Sequence, residues 1–151
     1  LRSCASESVA RTAEKIYDKI CFRAEKLVST ANAIASEYGI PIINKRVSVT
    51  PISLLCDCVD SEDVIPLALS LQRAAEAVGI DFIGGYSAMV HKGYTLGDRR
   101  LISSIPEALS RTGCVCSSVN VATTRAGINM DAVAQMGEII KKTDRKSKEK
   151  Y

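Results

Sequence analysis

The spacing of apolar residues switches repeatedly between a helical period near 3.6 and the alternation of strands, and turn residues mark each switch. Val9, Ala13, Ile16, Ile20, Ala24, Leu27, Ala31, Ile34 and Tyr38 follow three- and four-residue steps, which predicts one long helix stopped by Gly39 and Pro41. "IINKRVSVT" (42–50) is rich in β-branched residues and reads as a strand. "DSEDVIPLALSLQRAAEAVG" (60–79) reads as a helix capped by Asp60 or Ser61, with Pro66 in its first turn and Gly79 at its end. "DFIGGYSA" (81–88) is a second strand. "SIPEALSRTG" (104–113) carries capping-box spacing at Ser104 and Glu107 and reads as a compact helix. "CVCSSVNVA" (114–122) is a third strand, and "NMDAVAQMGEIIKK" (129–142) a last helix capped by Asn129 or Asp131. Helices alternating with strands predict an α/β fold with a parallel sheet. Three strands leave two open edges, so further strands are expected from elsewhere.

Composition narrows the class. The 151 residues suffice for one domain with a real core, and the 46% hydrophobic and 25% charged fractions are those of an ordinary globular chain. The +3 net charge comes mostly from the tail "KKTDRKSKEK", which reads as a solvated, frayed end; residues 143–151 are set apart as a basic tail. Aromatics make up only 5% and no basic stripe recurs, which argues against nucleic acid as a partner. No apolar run reaches membrane-spanning length, and "LRSCASESVA" lacks the apolar core of a signal peptide. Leu1 in place of an initiator Met suggests a fragment or a processed start.

Six cysteines, Cys4, Cys21, Cys56, Cys58, Cys114 and Cys116, include two Cys-x-Cys pairs. Structural zinc sites normally use a two-residue spacer, and both pairs lie in or beside apolar segments. Reduced, buried thiols are the expected state, with no metal and no cofactor. Cys116 in particular, between Val115 and Val119, is expected to be a quiet buried thiol.

Strand alternation carries the functional reading. In the first strand Ile43, Lys45, Val47 and Val49 share one face, and Asn44, Arg46, Ser48 and Thr50 the other. In the third, Val115, Ser117, Val119 and Val121 oppose Cys114, Cys116, Ser118 and Asn120. The valine faces suit packing beneath helices. The small polar faces make a poor solubilising surface and suit the lining of a cavity. Ligands of α/β sheets gather beyond the carboxyl ends of strands. Those ends, "VTPIS", "YSAMVHKGYT" and "VATTRAGIN", offer Thr50, Ser53, Tyr86, Ser87, His91, Lys92, Tyr94, Thr123, Thr124 and Arg125. His91, Lys92 and Arg125 together point to a small anionic metabolite, a carboxylate or a phosphate. The glycines match neither phosphate-loop nor dinucleotide-binding spacing. The ligand-binding set expected from these arguments is Asn44, Arg46, Ser48, Tyr86, His91, Lys92, Ser118, Asn120, Thr124 and Arg125. No triad is legible, so no catalytic residue is assigned.

The segments "RVSVTPISLL" and "DFIGGYSAMVHKGYTLGDRRLISSIPEALSRTGCVCSSVNVATTRAGINMDAV" resemble the UPF0210 (DUF711) family of pyruvate formate-lyase-like proteins. The resemblance implies that residues 1–142 are the early part of an α/β barrel built from two parallel half-barrels. It also implies a cytoplasmic, homodimeric protein of bacteria or archaea. Family members extend well past the helix ending near Lys142, so this stretch is not expected to close a barrel alone. The family carries no assigned activity. Glycyl-radical chemistry, which the pyruvate formate-lyase fold brings to mind, needs an Arg-Val-x-Gly-Tyr context, and Gly85–Tyr86 lacks the Arg-Val. Two functions remain open: metabolite binding in a polar interior, with or without catalysis, and a regulatory or structural subunit that assembles through its sheet edges.

Overall fold

The computed structural model describes residues 1–148. After a 3-10 turn at Arg2–Cys4, the elements in order are α1 (Val9–Ala24), α2 (Leu27–Tyr38), β1 (Arg46–Ser48), α3 (Ser53–Cys56), α4 (Ile65–Val78), β2 (Phe82–Met89), α5 (Leu96–Arg111), β3 (Val115–Asn120), β4 (Ala122–Thr123), β5 (Gly127–Ile128) and α6 (Met130–Lys148). β1, β2 and β3 form a parallel sheet in sequential order, while β4 and β5 form a separate antiparallel hairpin. The expected α/β alternation with a parallel sheet is therefore present; the three strands do not close on themselves.

Sequential parallel strands joined by right-handed crossovers must carry their helices on one side. The core obeys this. Ile83, Tyr86 and Ala88 of β2 are buried under α3, α4 and α5, while α1 packs on α4 and α6 on α5. Ile16 of α1, Leu67 and Leu71 of α4, and Leu101 and Ile102 of α5 are fully buried in the same core. Among the described residues, no helix packs on the other face. Arg46, Ser48, Met89, Cys116, Ser118 and Asn120 are all exposed there.

The register of β2 explains this division. Gly84 pairs with Cys116, but Tyr86 rather than Gly85 pairs with Ser117, so β2 holds one extra residue at Gly84–Gly85. The bulge turns Tyr86 to the side that Ile83 already occupies. Gly85 has φ +127°, and a side chain there would run into the Cγ2 methyl and the backbone carbonyl of Val49. The close approach is used: Val49 N–H donates to Gly84 O and Ile52 N–H to Gly85 O, each at 2.9 Å. The chain leaving β1 is thereby tied to the bulge.

A second clasp joins α3 to the start of α5. Asp57 Oδ1 accepts from Gly97 N–H at 2.7 Å, and Arg100 donates to the carbonyls of Cys56 and Val59 at 3.2 and 2.9 Å and to Glu62. A Cβ on Gly97 would collide with the Ser53 carbonyl and the Asp57 amide. The contact therefore requires glycine for space alone.

Several expected boundaries move. The first helix is two helices, because the chain turns at Glu25–Lys26 without glycine or proline; α2 continues the apolar spacing yet buries no residue. β1 is only three residues, so Ile43, Asn44 and Lys45 lie ahead of it. At α4, Asp63 rather than Asp60 or Ser61 supplies the acceptor, to Ile65 N–H at 3.0 Å; Pro66 in the first turn and left-handed Gly79 stand as expected. The third helix begins eight residues early, at Leu96 rather than Ser104, because Thr95 and Asp98 form a complete capping box. Pro106 consequently lies inside α5, and the Ser103 and Ser104 hydroxyls donate to carbonyls of the preceding turn. Asn129 does cap α6, accepting from Ala132 N–H. That helix runs on to Lys148 through most of the stretch expected to fray; 149–151 of the basic tail lie outside the described residues.

Two buried groups link this core to pH. Burial first, and the Asp57 carboxylate second, push the Cys56 thiol up to about 12. Burial likewise raises the Tyr86 phenol, against the opposing pull of its 2.6 Å hydrogen bond to Ser104. Both stay protonated in the folded chain after their unfolded counterparts ionise. Their stabilisation is thus complete below pH ~8.5 and is lost as pH rises toward their folded values. The Cys56 contribution should fall by about 1 to 2 kcal/mol between pH 8 and 10. Urea midpoints across that range will decline, and Cys56→Ala will flatten the decline; an identical slope in the variant refutes the assignment.

The thiols report the two faces separately. Cys4 and Cys56 are buried, Cys21 and Cys114 half-buried, and Cys58 and Cys116 exposed. The expectation of a buried Cys116 is corrected: Val115 and Val119 point to the helices, and Cys116 points the other way, onto the open face. Maleimide labelling followed by intact-mass and peptide analysis should modify Cys58 and Cys116 first and Cys56 last. Labelling of Cys116 no faster than Cys56 would show that something covers that face.

Candidate functional site

Four rows of residues cross the open face. Arg46 stands beside Phe82, with its guanidinium 4.9 Å from the ring centroid. Ser48, Gly84 and Cys116 form the second row; Ser87 with Ser118, and Met89 with Asn120, follow. Ser48, Gly84, Gly85, Ser87, Cys116 and Ser118 line a shallow hollow of about 370 Å³. Glycine leaves its floor empty, and the hydroxyls and thiol around it offer donors and acceptors without fixed charge.

The carboxyl ends of β2 and β3 form a second, larger cleft of about 590 Å³, lined by His91, Lys92, Thr123, Thr124, Arg125 and Ala126. Two loops build it. After β2, Gly93 N–H donates to Val90 O at 3.1 Å and turns the chain back at His91–Lys92. After β3, the β4–β5 hairpin folds over, with its tip held by Thr123 Oγ1, which accepts from Ala126 N–H at 3.0 Å, and by Gly127 at φ +76°. The Asn129 side chain donates to Val90 O at 2.7 Å while its own N–H donates to Val121 O at 2.9 Å. These two hydrogen bonds from one residue lock the two loops together.

The cleft is electropositive and its histidine is unpartnered. No carboxylate lines it, and neither Lys92 nor Arg125 joins an ion pair among the described residues. The Nδ1 atom of His91 is buried and has no hydrogen-bond partner. A buried polar atom without a partner is costly. An oxyanion in the cleft has the right polarity for the Lys92 and Arg125 cations that line it.

The expected residues divide into groups. His91, Lys92, Thr124 and Arg125 converge on the cleft. Ser48, Ser118 and Asn120 lie on the open face, although Asn120 Oδ1 is already engaged by Ala122 N–H at 3.2 Å, where it starts the hairpin. Arg46 begins β1 at the amino end of the sheet, roughly 25 Å from His91 by strand rise, so the two do not share a ligand. Asn44 is exposed in the segment before β1 and belongs to no strand row. Tyr86 is corrected outright: it is fully buried on the helical side because of the bulge. Ser53, named with the rim, is buried in α3. Sequence reasoning put Cys116 on the polar face but expected a buried thiol, and it missed Met89 on the open face and Asn129 as the tie between loops. An asparagine two residues after Gly127 carries no signal that distinguishes a cap from a brace, and here it is both.

Comparison with known proteins fits this architecture to a family. A family profile described as "Uncharacterised ACR (DUF711)" matches residues 1–151. A UPF0210 protein of Thermoanaerobacter sp. (strain X514) is 62% identical over 151 residues, covering 99% of this chain and 33% of its own length. UPF0210 proteins of Ruminiclostridium cellulolyticum and Methanosarcina acetivorans are 61% and 57% identical, covering 94% and 95% of this chain and 31% of their own lengths. The chain thus spans about a third of the relatives it matches. No helix among the described residues is long and apolar enough to cross a membrane, and no cluster of three or more metal-ligating side chains occurs among them. On the profile match and these identities, the chain is a member of the UPF0210 (DUF711) family.

Proposed function

We propose that this segment supplies the binding wall for a small anionic metabolite, a carboxylate or a phosphate, at the carboxyl end of its parallel sheet. The observation that carries the reading is the cleft itself, lined by His91, Lys92 and Arg125 with no acid, its two cations outside every ion pair among the described residues. Thr123 and Thr124 hydroxyls complete a donor set suited to oxyanions. In the family-length protein the uncovered polar face becomes the interior of an α/β barrel of the pyruvate formate-lyase type. Sequential strand order with all helices on one side supports that reading, since barrels are wound this way. A small polar interior with Ser48, Ser118 and Cys116 then leads from the barrel's centre to the cationic rim. The homodimer and the cytoplasmic location implied by family resemblance belong to this same proposal.

Isothermal titration with inorganic phosphate and with malonate tests the site. Arg125→Ala and Lys92→Ala should each weaken binding about tenfold, which is ~1.4 kcal/mol, with the larger effect at low salt. His91→Ala should weaken it similarly, and Tyr86→Phe, altered only in the core, should leave it unchanged. Equal affinity in wild type and Arg125→Ala, or binding abolished by Tyr86→Phe in a chain that still folds, refutes the rim as the site.

A further inference from the structure

Each loop of the rim cleft contributes one fixed positive charge. Lys92 stands on the turn after β2, and Arg125 at the tip of the β4–β5 hairpin. Both are exposed, and neither joins an ion pair among the described residues. The charges that follow in the chain are engaged elsewhere. Arg99 lies 4.7 Å from the centre of the Tyr94 ring, and Arg100 pairs with Glu62. Asp98 is buried, accepting from Thr95 N–H in the α5 capping box. Two cations without a counter-ion therefore face one cleft from two separate segments.

That arrangement discriminates among anions by charge. Like charges held in one cleft repel, and a ligand relieves the repulsion fully only by neutralising both. A monoanion satisfies one cation and leaves the other bare. A dianion gives the Lys92 ammonium and the Arg125 fork an acceptor each. The volume of about 590 Å³ lies within the range of small-molecule sites.

The separation of the two cations has an identifiable cause. The Asn129 side chain donates to Val90 O, next to the His91–Lys92 turn, and its backbone N–H donates to Val121 O, at the base of the hairpin. Its Oδ1 accepts from Ala132 N–H and caps α6. One residue thus holds both cation-bearing loops in place before any ligand arrives, which lowers the ordering cost of binding.

We infer that the cleft selects dianions, a dicarboxylate or a phosphate monoester, held by Lys92 from one loop and Arg125 from the other, with Asn129 as the positioning residue that sets the gap between them. This selectivity rests on the rim being the anion site proposed above, and it names the ligand class of that site.

Isothermal titration with malonate, inorganic phosphate and acetate, at matched ionic strength and a pH where malonate carries both charges, tests it. Malonate and phosphate should bind about tenfold or more tighter than acetate. Lys92→Ala and Arg125→Ala should each reduce that preference to about twofold, and the double variant should lose no more of it, since removing either end breaks a bridge. Asn129→Ser retains a capping hydroxyl but not the amide that reaches Val90 O, and should lower the preference about threefold. Asn129→Ala loses the cap as well, so it should lower the urea midpoint further without lowering the preference further. Equal affinity for all three anions overturns the inference and leaves the rim an anion site, whereas no binding of any of them overturns both. Single variants that each remove only part of the preference, with the rest lost in the double variant, overturn the bridge. A folded Asn129→Ser chain with unchanged preference overturns the positioning role.

Discussion

One extra residue in the central strand decides which side chains the sheet buries. Strict alternation from Ile83 would put Gly85 in the core and Tyr86 on the open face. The bulge at Gly84–Gly85 instead places Tyr86 beneath the helices and Ser87 and Met89 opposite it. Only glycine is accommodated at Gly85, since the chain leaving β1 passes against it with Val49. The same two residues anchor that chain through their carbonyls. Core composition, the polarity of the open face and the path from β1 to α3 all follow from this single irregularity.

The one-sided helical layer makes the remaining surface informative. Hydrophobic burial concentrates where α1, α4, α5 and β2 meet, and the Asp57–Gly97 and Arg100 contacts hold α3 against α5 with charge-assisted hydrogen bonds. The opposite face is not a typical solvent face, which would carry Lys and Glu. Beyond Arg46 and Phe82 at its amino end, it carries small hydroxyls, a thiol, two glycines, a methionine and Asn120. Side chains of that kind tolerate a confined, hydrated interior, and their placement on one face matches a sheet that is only a sector of a larger assembly.

The cationic cleft and the free β3 edge are separate features of the same sheet. At the carboxyl end of the strands, two loops are braced by Asn129 into a pocket wall whose polar groups lack counterparts. Along β3, backbone groups and Ser117 lack partners of another kind, those of a neighbouring strand. The first set suits an oxyanion because its members are donors and cations.

Local chemistry was legible wherever one residue type dictates its own surroundings. Left-handed Gly39 and Gly79, Pro66 in a first turn, Asn129 as a cap and the valines under helices needed only short-range rules. The α5 start was misread because two capping-box spacings compete, and Thr95–Asp98 prevails over Ser104–Glu107 by completing both of its bonds. The break at Glu25–Lys26 has no punctuating residue, and apolar spacing runs through it unchanged. Of the proposed site, the cationic residues were legible by type and position after the strands, as was the polar face of β3. Their partition was not. Parity in β2 depends on a bulge visible only through pairing with β3, so Tyr86 turns into the core rather than onto the open face. By itself the sequence determined the α/β alternation, the helix ends at glycine and proline, and a polar and an apolar face on each outer strand. Only the tertiary structure decided which residues share a cleft and which face stays uncovered, because strand register and loop bracing are set by contacts between segments far apart in the chain.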